Sequence, residues 1–232
     1  MGTYLGAATT IEPKPIGRLG GGHAARNRPV LRAPEPWEFK LLRLIAEQGA
    51  IPFDQLARFL GADARQAASV VKHLTKVGYA DYGRFLHDEP HWAWLSCRGA
   101  RLSATGFRPN RPRVGAMARM RAVNEVRLHI SSRAPEARWI CHRSLVREQG
   151  RRGHRPNAVI EIRSERHAIV VRLSARDLDI VRDSLETDMA RYDAVIVFAM
   201  PSIRRRLEHF AADHHWPKLV IRDIPNSCPA VS

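Results

Sequence analysis

The stretch ARQAASVVKHLTKV, residues 64–77, carries the side chains best suited to reading a nucleic acid. Ala67, Val70, Leu74 and Val77 recur at the three- and four-residue spacing of an inward helical stripe. Arg65, Gln66, Ser69, Lys72, His73 and Lys76 then face outward, and none of them is a carboxylate. A helix with this face fits the major groove, where each base pair offers its own donor and acceptor pattern. Arg65 can fork onto guanine and Gln66 can pair with adenine, both near the helix N-terminus that reaches base edges, with Ser69 and His73 following one and two turns on. Lys72 and Lys76 suit phosphate, a contact that positions without specifying.

The neighbouring elements agree with that role. Residues 37–48 show helical periodicity with Trp37, Leu41, Leu44 and Ile45 on one face, and Gly49 stops the helix. Pro52 opens a short second helix over 53–60, ended by Gly61, and Asp63 is the N-cap of the third helix. Two strand-like segments, 79–86 and 91–95, flank the turn 87–90, and Ser96 caps one more short helix. Three short helices followed by a hairpin predict a winged helix-turn-helix over residues 36–107. Arg84 on the wing is positioned to follow the adjacent phosphates. From Arg98 onward Arg101, Arg111 and Arg113 belong to an acid-free arginine run, expected to add phosphate contacts, and residues 108–116 read as a basic linker.

Bulk composition supports a polyanionic partner. The 232-residue chain has a formal net charge of +15 and 44% apolar residues, enough for a core. Its longest apolar run, 194–200, is far below the ~20 residues of a membrane span, so no membrane partner is expected. No apolar segment follows the basic N-terminal residues, so no signal peptide is expected. Cys97, Cys141 and Cys228 are scattered and read as reduced thiols of a cytoplasmic, nucleoid-associated protein, with no metal and no cofactor. Residues 1–35, rich in Pro and Gly with interleaved Lys14, Arg18, Arg26, Arg28 and Arg32, read as a flexible basic arm.

The second half changes character. Helical spacing over 117–131, strand candidates at 138–142, 158–162 and 168–173, a helix over 175–190, a buried strand at 194–199, a helix over 203–214 and a strand at 218–222 give an α-β-β-β-α-β-α-β order. The fold class expected is α/β (α+β), with a mixed-sheet domain over 117–224 and a tail at 225–232.

The segments FKLLRLIAEQGAIPFDQLARFLG, HWAWLSCRGARLSATGF, AVNEVRLHI, WICHRSLVRE, GHRPNAVIEI, AIVVRLSA and YDAVIVFAMPS together resemble the replication-relaxation family of actinobacterial mobile elements. The resemblance implies a winged helix joined to a domain similar to the PD-(D/E)xK nuclease fold. That chemistry needs two carboxylates on Mg²⁺ and a lysine near the attacking water. This chain departs from it: Asn157 stands where an Asp is expected after Pro156, and Val170 and Arg172 stand where two acids would be. Strand alternation puts Val170 and Arg172 on one face and Ile169, Val171 and Leu173 on the other. Glu161 and Glu125 remain, but Glu161 lies about 13 Å along the strand from Asn157. The domain is therefore expected to be non-catalytic. Arg172, Arg155 and Arg152 read either as a phosphate-binding surface or, for Arg172, as an ion pair with Glu161 or Asp177. Dimerisation is its other expected task, since winged-helix proteins often bind two half-sites.

His209 and Asp213 have metal-ligand spacing beside His214, yet lack a third ligand and read as a polar helix end. The sequence expectation is a sequence-specific double-stranded DNA-binding protein: a transcriptional regulator, or a replication or transfer control factor of a mobile element. A metal-dependent DNA nuclease and a protein-interaction adaptor with non-specific DNA affinity are the alternatives.

Overall fold

A computed structural model describes residues 32–150, 152–175 and 178–225. Residues 1–31 of the arm expected over 1–35, the tail from 226, Asp177 and Cys228 lie outside the described residues. Eight helices and two sheets are found among the described residues, a mixed α and β architecture.

The first half runs α1 (Pro36–Gln48), β1 (Ala50–Pro52), α2 (Phe53–Leu60), α3 (Ala64–Lys76), β2 (Ala80–Gly83), β3 (Trp92–Leu95) and α4 (Cys97–Leu102). Local chemistry sets these limits. Pro36 pre-sets the first turn of α1, where a missing N–H costs nothing, and Glu35 and Glu38 close a reciprocal capping box around it. Gly61 ends α2 in the left-handed region at φ 61°. The three strands pair antiparallel in the order β1-β3-β2. Leu42, Ile45, Ile51, Leu56, Ala67, Val71 and Leu74 meet beneath them in one core. Gly99 lets α4 pack against the backbone ahead of β2: a Cβ there would lie 1.8 Å from the Tyr79 carbonyl oxygen.

The second half runs α5 (Val114–Arg133), β4 (Arg138–Cys141), α6 (His142–Gln149), β5 (Ala158–Ile162), β6 (Glu165–Arg172), α7 (Leu178–Arg191), β7 (Ala194–Ala199), α8 (Pro201–His214) and β8 (Leu219–Asp223). The five strands follow the order β4-β5-β6-β7-β8, antiparallel from β4 to β6 and parallel from β6 to β8. The two-residue side-chain period divides the sheet as expected. Val159, Ala168, Val170, Val195 and Val197 face α6, α7 and α8, while Ala158, Ile160, Ile169, Val171 and Phe198 face Ala122, Val126 and Ile130 of α5. Helices therefore cover both faces.

Two elements were not anticipated. β1 is three residues long and ends in proline, which an edge strand tolerates. α6 interrupts the expected strand series, so the order is α-β-α-β-β-α-β-α-β. The hairpin between β5 and β6 is also tighter than expected, because β6 already begins at Glu165 rather than 168.

α5 begins inside the segment expected to be a linker and belongs to both halves. Met117 and half-buried Met120 pack with Ala50, Trp92 and Trp94 of the first sheet. Glu125 of α5, buried, accepts from Gln55 Nε2 at 2.7 Å and from Arg58 Nη1 at 2.6 Å. Arg127 of α5 pairs with Glu47 of α1 at 2.7 Å, and Arg121 of α5 with Asp54 of α2. Arg143 of α6 donates to the Ala46 carbonyl at 2.7 Å.

Candidate nucleic-acid interface

The α3 helix starts on Asp63, whose carboxylate accepts from the Gln66 N–H at 2.8 Å while Gln66 Oε1 accepts from the Asp63 N–H at 3.0 Å. Ala67, Val71 and Leu74 anchor it to the core, and Val77, at its C-cap, is buried too. Val71 takes the deep position expected for Val70, which is half-buried. One face is therefore fixed by packing. Arg65, Gln66, Ser69, Lys72 and Lys76 are exposed on the rest of the surface.

Two of the expected reading residues are engaged. Gln66 holds its amide oxygen on the cap, which uses one of that oxygen's two lone pairs and fixes the side chain. His73 is half-buried, with Nε2 2.7 Å from Glu38 Oε1 and its ring 5.8 Å from that of Trp37. Glu38 is fully buried and also accepts from Arg32 and from the Glu35 N–H at 2.8 Å. Burial pushes the Glu38 carboxyl up, but the hydrogen bonds from Arg32, Glu35 and His73 outweigh it and hold the group at about 2. The charged Glu38 thus ties α3 to the start of α1. Sequence reasoning passed over it, although an acid three residues before Leu41 and seven before Ile45, on the apolar stripe, is a visible signal.

The remaining phosphate candidates fall into two groups. Arg84, Arg101, Arg111 and Arg113 are exposed. Arg84 donates to the His87 carbonyl at 3.3 Å, and the Arg111 guanidinium lies over the rings of Phe85 and Trp94 at 5.6 and 5.8 Å. Arg98 is half-buried and structural. It donates to the Val77 carbonyl and to the Arg32 carbonyl, each at 3.0 Å, and covers the Tyr79 ring at 4.9 Å.

Asn157, Val170 and Arg172, the positions where acids were expected, gather no acidic centre among the described residues. Asn157 Oδ1 accepts from the Val171 N–H at 2.8 Å, bracing β6, and Val170 is core. Arg172 donates to Ser184 Oγ at 3.0 Å. Burial, and then Arg119 nearby, push its guanidinium pKa down. The expected Arg172–Glu161 pair does not form. Glu161 sits opposite Arg138 and Arg166 in the register and pairs with those two, at 2.9 and 3.3 Å. Arg155 is buried and donates to the carbonyls of Gly153, Gln149 and Arg152, so its charge braces a loop. Among the described residues, no three His, Cys, Asp or Glu side chains gather to hold a metal ion. His214 Nδ1 lies 2.8 Å from the Phe210 carbonyl oxygen, its ring packs tilted against Phe210 and Trp216, and it meets no carboxylate among the described residues.

No helix among the described residues is long and apolar enough to cross a membrane. The chain matches no protein-family model, and no curated protein or solved structure proved similar to it.

Proposed function

We propose that this protein binds double-stranded DNA sequence-specifically, reading the major groove with the exposed face of α3. The observation that carries the reading is the chemistry of that face: Arg65, Ser69, Lys72 and Lys76 stand exposed without a carboxylate, on a helix whose other side is locked into a core. The surrounding order, helix, strand, two helices and two strands paired β1-β3-β2, supports a winged helix-turn-helix over 36–107. In this reading α3 lies in the groove and the β2–β3 connection with Arg84 is the wing. Val170 in the core and Arg172 in place of an acid weigh against a nuclease. The second half then serves as support or as a dimerisation unit for a two-fold site, and no cofactor is required. The resemblance to the replication-relaxation family extends the proposal to control of transcription, replication or transfer in a mobile element, acting at the nucleoid.

Arg65→Ala and Lys72→Ala test this together. Losing a guanine fork costs about 1–3 kcal/mol at the cognate site and little on random DNA. Losing a phosphate contact weakens both equally and flattens the salt dependence by about one in slope. Fluorescence anisotropy on selected and random duplexes measures both. Equal losses on the two DNAs for both variants would refute base reading by α3.

A further inference from the structure

The ends of α6 and α7 and the start of β6 enclose an open cleft of about 400 Å³. It is lined by Gln149, Arg152, Arg155, Arg166, Arg191 and Tyr192: four guanidinium groups and no carboxylate. The geometry points to a phosphate-binding site here, independent of the reading of α3.

The charge balance of the lining favours an anion. Of the four arginines, Arg166 alone has a carboxylate partner among the described residues, Glu161 at 3.3 Å, which Arg138 shares. Arg152 and Arg191 are exposed and have no acidic partner among the described residues. Asp188 and Asp193 are not part of the lining. Asp188 is buried and bonded to His154 at 2.9 Å, and Asp193 accepts from the Arg166 N–H at 2.8 Å. The C-terminal ends of α6 and α7 contribute about half a negative charge each. The lining itself carries an excess of positive charge, which suits an anion.

Arg155 is 8% exposed, its three acceptors are all neutral carbonyls, and its Nε has no partner among the described residues. A buried cation without a counter-charge is costly, and an anion in the cleft supplies the missing one. Guanidinium groups suit this task, since their fork matches phosphate oxygens. The one aromatic ring, Tyr192, is 5% exposed and lies beneath the Arg166 guanidinium at 5.8 Å. It offers no face for a base to stack on, so the site recognises phosphate and not a nucleobase.

The test is calorimetric titration of the full chain with inorganic phosphate at constant ionic strength, compared with the Arg152→Ala/Arg191→Ala variant. Both side chains are exposed, so the variant keeps the fold, which circular dichroism checks. Saturable phosphate binding is expected in the wild type, and the variant should bind at least about tenfold more weakly, since two charge-assisted bonds are lost. Absence of saturable binding, or equal binding by the variant, overturns the site. A random duplex distinguishes the source of the phosphate. If saturating duplex blocks inorganic phosphate, the occupant is a nucleic-acid backbone. If phosphate still titrates, the occupant is a free phosphoryl compound.

Discussion

Replacing Glu38 by Gln keeps the side chain's shape and removes the charge on which Arg32 and His73 converge. The carboxyl moves from its ordinary 4.5 to about 2 on folding. At about 1.4 kcal/mol per tenfold change in proton affinity, that is about 3 kcal/mol of stability at neutral pH. Solvent screening at Arg32 and His73, which are 30% and 42% exposed, brings the expectation to about 2–3 kcal/mol. The native value is the depressed one. The contribution is therefore complete above the unfolded value and is lost as pH falls through the folded value, between about pH 5 and pH 2. Urea denaturation followed by tryptophan fluorescence, at pH 7, 5 and 3, measures it. The wild type should exceed Glu38→Gln by about 2–3 kcal/mol at pH 7, and the curves should approach each other at pH 3. Other carboxylates titrate in both proteins and cancel in the difference. A gap that is the same at pH 7 and pH 3 would refute the assignment of that stability to the Glu38 charge.

Two further substitutions probe how the halves are built and joined. Gly99→Ala puts a methyl into the Tyr79 carbonyl, since a Cβ would lie at 1.8 Å from its oxygen. It should lower stability by roughly 1–3 kcal/mol or prevent folding, read by thermal denaturation, where Gly115→Ala, with nothing near its Cβ, should be tolerated. Glu125→Ala leaves Arg58 without its acceptor on α5 and leaves Gln55 only the Arg121 carbonyl there. It should cost about 1–3 kcal/mol and increase protease cutting between the halves, checked by chemical denaturation and limited proteolysis.

Much of this architecture was legible because strong periods leave strong signals. The 194–199 run of AVIVFA became β7 with the expected bounds, and the two faces of β6 followed from alternation alone. Ser96 caps α4 through the Gly99 N–H at 3.1 Å, as its type and position predicted. α6 was hidden because Leu145 is its only fully buried residue, which gives no repeat to detect. β1 was hidden because three residues hold no period and its proline argues for a turn. At the interface, sequence gave the polar face of α3 but not its commitments. Gln66 and His73 look free on a helical projection, and only tertiary contact reveals that one closes a cap and the other rests on Glu38. The arginine cleft was only partly visible. Arg152 and Arg155 were candidates, whereas Arg166 and Arg191 join them through the pairing of β6 with β7 and the end of α7, which no local pattern encodes.

The central claim is that α3 reads base sequence. Selection of bound duplexes from a random library, followed by affinity measurement at about 0.2 M salt, tests it most directly. The account predicts an enriched motif bound roughly a thousandfold or more above random DNA, with Arg65→Ala abolishing the preference at one base position. Recovery of no motif, with equal affinity for selected and random duplexes, would contradict it.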